Sequence, residues 1–250
     1  MWGKIVSGVA VVAVASGAML AWHERGRIEG WLPKSPTEAV AKVADVHETV
    51  EGTVAVPADQ NGSLVLYVHG SGQRGIDAFS DAETSTVTAR LLQDGYVVAA
   101  ADAHGDAWGN PASVEDYEQL VTTVRARYDL SKTYILAESM GGLAGAELAA
   151  SSSVSAWAAF YPVCNIDSLN DPELQRQIGA AYPHGAPAKT PWPRKPVAVW
   201  ASPADTVVPA AQNAYPCASA VDGVIHQTTG DHGDASNFDP EAVAHFFDNN

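Results

Sequence analysis

A serine acts as a nucleophile only where the backbone lifts it clear of its neighbours and a base is at hand to take its proton. Ser139 stands in such a setting. Tyr134-Ile135-Leu136 is a short apolar, β-prone run, Glu138-Ser139-Met140-Gly141-Gly142 turns sharply, and small residues with leucine at helical spacing follow as far as Leu148. Strand, tight turn and helix are the context that gives a G-x-S-x-G motif its meaning, here with Ala137 in place of the first glycine. The serine then needs a histidine, and the histidine needs a third group to hold its tautomer. Asp205 follows the apolar run Pro196 to Ala201, and His232 lies in Thr229-Gly230-Asp231-His232-Gly233-Asp234, after the run Gly223 to Thr228. Asp205 also suits an ordinary Pro-x-Asp turn, and Asp231, Asp234 or Asp167 could supply the acid instead. A second chemistry is open as well. Asp102, His104 and Asp106, with Asp231, His232 and Asp234, offer oxygen and nitrogen ligands for a metal, although the elbow would then have no use.

The elements that would position these residues alternate along the chain. Thr49-Val50-Glu51 and Thr53 to Pro57 alternate as edge strands, and Ser63 to Val68 is a continuous apolar run, the mark of a strand buried on both faces. It ends in His69-Gly70-Ser71-Gly72. A helix is expected over Ile76 to Gln93, then a buried strand over Tyr96 to Ala101 and a glycine-containing loop, Asp102 to Pro111. Asn110 as N-cap and Pro111 at the first helical position open another helix, with Arg125 and Arg127 near its end to suit the dipole. After the elbow come strands at Val154 to Tyr161, Pro196 to Ala201 and Gly223 to Thr228, separated by helix-length segments. Such alternation predicts an α/β fold, a mainly parallel, doubly wound sheet with helices on both faces.

From Val46 to Asn250 the chain resembles the α/β-hydrolases, in particular the serine esterase and prolyl-oligopeptidase-like group: the elbow, the acid loop and the histidine loop occur in that family's order, Ser139, Asp205, His232. The resemblance implies an oxyanion hole from the backbone N–H groups of Ser71, after His69-Gly70, and of Met140. It implies no cofactor and a small-molecule ester substrate cleaved through an acyl-serine. A peptidase of the same fold is the alternative among enzymes, and a tethered binding protein without turnover the alternative outside them. Family caps enter after the strand ending near Tyr161. The segment Cys164 to Lys195 has room for one helix, about Asp171 to Ala181, and a proline-rich stretch, so a minimal cap or none is expected, with cleft walls from Trp108, Tyr161 and Trp192. The family's strand order makes Cys164 and Cys217 neighbours and a disulfide between them the expectation.

The net charge of −15 in 250 residues, with no basic cluster, argues against a nucleic-acid partner. Residues 5–22 carry no charge and are flanked by Lys4 and by Arg25 and Arg27. As a helix they would span about 27 Å, close to the ~30 Å hydrocarbon core. An uncleaved membrane anchor is the favoured reading, since Met19 to Trp22 prolongs the run beyond Ala13-Val14-Ala15, the cleavage site that a signal peptide would use. A signal peptide would export the domain, whereas for an anchor Lys4 and the amino terminus compete with Arg25, Arg27 and Lys34 for the cytoplasmic side; a membrane-anchored or secreted domain, outside the cytoplasm, is the expectation. The expected division is an N-terminal segment and linker over 1–45 and a single domain over 46–250; the oligomeric state is not encoded in any motif.

Overall fold

The computed structural model describes residues 34–187 and 192–250. The apolar segment expected as an anchor or signal, residues 5–22, lies outside them; among the described residues no helix is long and apolar enough to cross a membrane.

Eight strands form one sheet: β1 (Ala44–Glu48), β2 (Thr53–Pro57), β3 (Ser63–Val68), β4 (Val97–Ala100), β5 (Lys132–Glu138), β6 (Val154–Phe160), β7 (Val197–Ala201) and β8 (Val224–Gln227). Their order is β1-β2-β4-β3-β5-β6-β7-β8. β2 runs antiparallel to both β1 and β4, and every pairing from β4 through β8 is parallel. The apolar runs behave as buried strands because alternate residues serve opposite faces. Leu64, Leu66 and Val68 of β3 join Ile135, Trp157 and Val199 on one face, while Val65 and Tyr67 join Leu136, Phe160 and Trp200 on the other. The first face is covered by α4 (Pro111–Tyr128), α5 (Gly141–Ala149) and α7 (Ala214–Ser219), the second by α1 (Glu38–Ala41), α2 (Asp77–Ser80), α3 (Thr84–Gln93) and α8 (Pro240–Asp248). α6 (Pro172–Ala181) belongs to neither face. Its Leu174 and Ile178 pack with Trp108, Met140, Leu143 and Val208 in a third cluster.

Several expectations are corrected. Thr49-Val50-Glu51 is not strand: Thr49 Oγ1 accepts from the Gly52 N–H, the chain turns, and Val50 is fully exposed at the tip. The expected helix from Ile76 to Gln93 is two, because the Asp81 carboxylate accepts from the N–H groups of Glu83 and Thr84 and starts a new helix there. Residues 34–45, expected as linker, are docked on the domain. Val40 is buried, the Thr37 N–H donates to Phe79 O at 2.8 Å, and Lys34 pairs with Asp77 at 2.6 Å. Residues 34–250 cluster as one unit. Cys164, just after β6, and Cys217, on α7, form a disulfide with a Cα–Cα separation of 6.7 Å.

Candidate active site

The loops that leave the carboxyl ends of β3, β4, β5, β7 and β8 carry the predicted residues. Between β5 and α5 the chain reverses within two residues, and Ser139 takes a φ of +50°. That turn brings α5 onto β3 so closely that a Cβ at Gly141 would lie 2.2 Å from Val68 O. Ala137, where the motif has glycine, is tolerated because Gly145 faces it; a Cβ at Gly145 would sit 3.1 Å from the Ala137 methyl. Ser139 O accepts from the N–H groups of Gly142 and Val163 at 2.9 and 2.8 Å, and its own N–H donates to Phe160 O at 3.0 Å, so the strained residue is tied on both sides.

Ser139 Oγ lies 2.9 Å from His232 Nε2, and His232 Nδ1 lies 2.8 Å from Asp205 Oδ2. A carboxylate can only accept, so Nδ1 carries the proton and Nε2 presents a lone pair to the serine O–H. The other oxygen, Asp205 Oδ1, accepts from the Val207 and Val208 N–H groups at 2.9 and 2.8 Å, which fixes the carboxylate plane. Asp231 ties the two loops together: its Oδ1 accepts from the Thr206 N–H at 2.8 Å and from the His232 N–H at 2.8 Å. Asp234 caps the short 3₁₀ turn Ala235–Asn237 through the Ser236 N–H, and Asp167 lies in the 3₁₀ turn Ile166–Ser168. Both side chains of the His232–Asp205 pair are nearly inaccessible, at 3% and 1%.

Of the two predicted N–H donors, Met140 follows Ser139 directly, and Ser71 follows Gly70, where a Cβ would lie 3.3 Å from Ser139 Cβ. In the loop after β3, the Gly70 N–H donates to Gln73 Oε1 at 2.6 Å and the Gly72 N–H to Asp106 Oδ1 at 2.7 Å. Among the described residues neither the Ser71 N–H between them nor the Met140 N–H has an acceptor. The loop is held from three further points. One ring nitrogen of His69 faces Gly70 O and the other Asp102 O, at 2.8 and 3.0 Å, and the Ser71 hydroxyl donates to Gln177 Oε1 at 2.8 Å.

The three aromatic residues expected as cleft walls occupy other places. Trp192 packs edge-on against Trp157, centroids 4.6 Å apart, in the core on the α4 and α5 face. Trp108 is buried beneath the site, its Nε1 donating to Gln177 Oε1 at 3.3 Å. Tyr161 is 2% exposed and lies with its ring 4.3 Å from the His232 ring, so it supports the imidazole from behind. Large aromatic side chains near loops attract a pocket reading, but here their apolar area is more useful buried. Gln177, Gln73 and Glu138 stand near the site without a motif to announce them, and Asp106, read as a possible metal ligand, instead holds the Gly72 N–H. Gln177 gives no sequence signal, since it reaches the site from a helix more than 30 positions after the elbow. Glu138 stands beside Ser139 but is 5% exposed, and burial pushes its carboxyl pKa up against the opposing effect of its Tyr67, Tyr161 and Gln73 donors.

Asp102, His104 and Asp106 do not converge with His232. Asp102 accepts from the Gly75 N–H and pairs with Arg74, His104 faces Asp116 at 3.4 Å, and Asp106 holds Gly72. Among the described residues no group of three or more His, Cys, Asp or Glu side chains is placed to hold a metal ion.

The sequence matches no protein-family model and no curated protein. Solved structures do align with it. An esterase from Pyrococcus furiosus matches 87% of this chain and 98% of its own, with 16% identity and a TM-score of 0.62. An inhibited esterase B from Lactobacillus rhamnosis covers 96% of this chain and 94% of its own, at 13% identity and a TM-score of 0.62. An acylaminoacyl peptidase from Pyrococcus horikoshii aligns over 88% of this chain but only 42% of its own, at 13% identity and a TM-score of 0.61. These likenesses and the strand order define the class: the chain has the α/β-hydrolase fold.

Proposed function

We propose that this protein is a serine hydrolase that cleaves carboxylic esters of small acyl groups. The observation that carries the reading is the line of hydrogen bonds from Ser139 Oγ to His232 Nε2 and from His232 Nδ1 to Asp205, at 2.9 and 2.8 Å, at the end of the strand that forms the elbow. Ser139 Oγ attacks the ester carbonyl as His232 Nε2 takes its proton, and Asp205 stabilises the imidazolium that forms. The new oxyanion is received by the N–H groups of Ser71 and Met140, which are fixed before the charge develops. Collapse of the tetrahedral intermediate expels the alcohol, protonated by His232, and leaves an acyl-serine. Water, deprotonated by the same imidazole, then releases the acid. No step needs a metal or cofactor. A peptidase is the second reading, favoured by the fold likeness to an acylaminoacyl peptidase. The Cys164–Cys217 disulfide is in keeping with an oxidising compartment and so with export of the domain.

The test is labelling by a fluorophosphonate, followed by peptide mapping and by parallel assays on p-nitrophenyl esters and peptide p-nitroanilides. Modification at Ser139 with turnover of esters well above amides is expected. Amide turnover equal to ester turnover would select the peptidase, and the absence of any label would leave a binding protein on a hydrolase fold.

A further inference from the structure

Glu138 stands one position before Ser139, yet the reaction above makes no use of its carboxyl group. Four donors converge on it. The hydroxyls of Tyr67 and Thr84 reach Oε2 at 2.7 and 3.2 Å, and the Tyr161 hydroxyl and Gln73 Nε2 reach Oε1 at 2.8 and 2.9 Å. A carboxyl group buried at a strand end costs desolvation energy that an apolar side chain would not. What it provides is direction. With the carboxylate taking Gln73 Nε2 and the Tyr67 hydroxyl 3.1 Å from Gln73 Oε1, the Gln73 amide is held one way, and its Oε1 faces the Gly70 N–H at 2.6 Å. Gly70 is in turn pressed between that amide and the nucleophile; a Cβ there would be 3.0 Å from Gln73 Oε1 and 3.3 Å from Ser139 Cβ.

We infer that Glu138 is a positioning residue: by orienting the Gln73 amide it anchors the Gly70 peptide and aims the next N–H, that of Ser71, at the oxyanion. The inference rests on the serine-hydrolase reading. It differs from a general packing role in acting through one hydrogen-bond acceptor, the oxygen that faces Gln73. An N–H that must wait to be aligned loses much of its worth, since oxyanion stabilisation depends on donors fixed in advance.

The experiment compares Glu138→Met, Glu138→Gln, Gln73→Leu and the Glu138→Met/Gln73→Leu pair by steady-state kinetics on one short ester, with a thermal melt of each. Removing one such donor outright lowers kcat by about 10²–10³, so misaligning it should lower kcat by roughly 10–100-fold in Gln73→Leu and Glu138→Met, with KM within about threefold. Glu138→Gln should keep kcat within about threefold, because its carbonyl oxygen can still face Gln73 while the Tyr67 and Thr84 hydroxyls turn to accept from its NH2. The double variant should be no slower than either single one. Gln73→Leu removes a side chain that is not fully buried and leaves the carboxylate its other three donors, so it reports even where Glu138→Met fails to fold. Wild-type kcat in Gln73→Leu, or losses that multiply in the double variant, would overturn the inference while Ser139 still labels with fluorophosphonate. Failure of the wild type to label would overturn the reading beneath it.

Discussion

A hydroxyl, an imidazole and a carboxylate in line act as a unit, so that removing one member nearly removes the effect of all. Ser139→Ala and His232→Ala are each expected to lower kcat by about 10⁴-fold or more, with the double variant hardly slower. Asp205→Asn should be less severe, since it leaves serine and imidazole in place. Wild-type kcat in Ser139→Ala would exclude this serine as the nucleophile. Glu138 lends itself to a separate measurement, of stability. Its folded pKa is raised by burial, so between the ordinary carboxylate value and the raised one the folded chain holds a proton that the unfolded chain has released. The stability that the protonated form contributes is fully present below the ordinary value and is lost as pH rises through the folded one. Denaturant midpoints of the wild type should therefore decline over that window relative to those of Glu138→Gln, which has no proton to lose. Parallel pH profiles for the two proteins would contradict the shift.

Single elements carry side chains into the site, and α6 does so through Gln177. It stands outside both helical layers, and its Gln177 Oε1 takes the Ser71 hydroxyl in the loop after β3. Its start depends on Asp171, whose Oδ1 accepts from the N–H groups of Glu173 and Leu174 at 2.9 and 3.0 Å. Loss of such a cap costs about 1 kcal/mol. Asp171→Ala should lower stability by that amount and speed amide exchange mainly within α6. Unchanged exchange there would mean that packing on Met140 and Leu143 sets the helix without its cap.

At the scale of the molecule, the disulfide and the thin cap have measurable consequences. The Cys164–Cys217 bridge closes a loop with a sequence separation of 53 residues, for which chain entropy predicts up to about 4 kcal/mol of stabilisation. The Cys164→Ala/Cys217→Ala pair should unfold at a correspondingly lower denaturant concentration, and an unmoved midpoint would show that the bridge constrains nothing the fold does not already constrain. Between β6 and β7 the described chain contributes one 10-residue helix, α6, and no second domain. The three expected aromatic walls are spent in the core or beneath the site. A further methylene of an acyl chain contributes ~0.8 kcal/mol only when buried. Rates on p-nitrophenyl esters are therefore expected to peak at about two to six carbons, without interfacial activation; a maximum at twelve carbons or more would reveal a lid.

Much of this organisation is legible in the amino-acid order, because it depends on local chemistry. Apolar runs marked strands β2 to β8, although alternation at Thr49-Val50-Glu51 suggested an edge strand where the chain turns and β1 went unmarked; Asn110-Pro111 marked a helix start, and the small residues after Ser139 marked a turn that larger ones could not make. Even Ala137 in a glycine position belongs to that pattern once Gly145 is seen to face it. Other features come from parts of the chain that meet only in three dimensions. No local signal ties Gln177 to Ser71, or Gln73 and Tyr67 to Glu138, since hydrogen bonds between residues up to 106 positions apart depend on which strand ends lie side by side. The aromatic residues misled for the same reason: Trp192 reads as ready for a cleft or for a core, and only the crossover that sets it edge-on against Trp157 decides. Sequence alone determined where a nucleophile, a base and an acid could stand, through strand ends and turns. The tertiary fold decided which carboxylate meets His232, which N–H groups beside Ser139 are left without an acceptor among the described residues and which side chains pack next to them, because those depend on distances across the sheet that no spacing along the chain records.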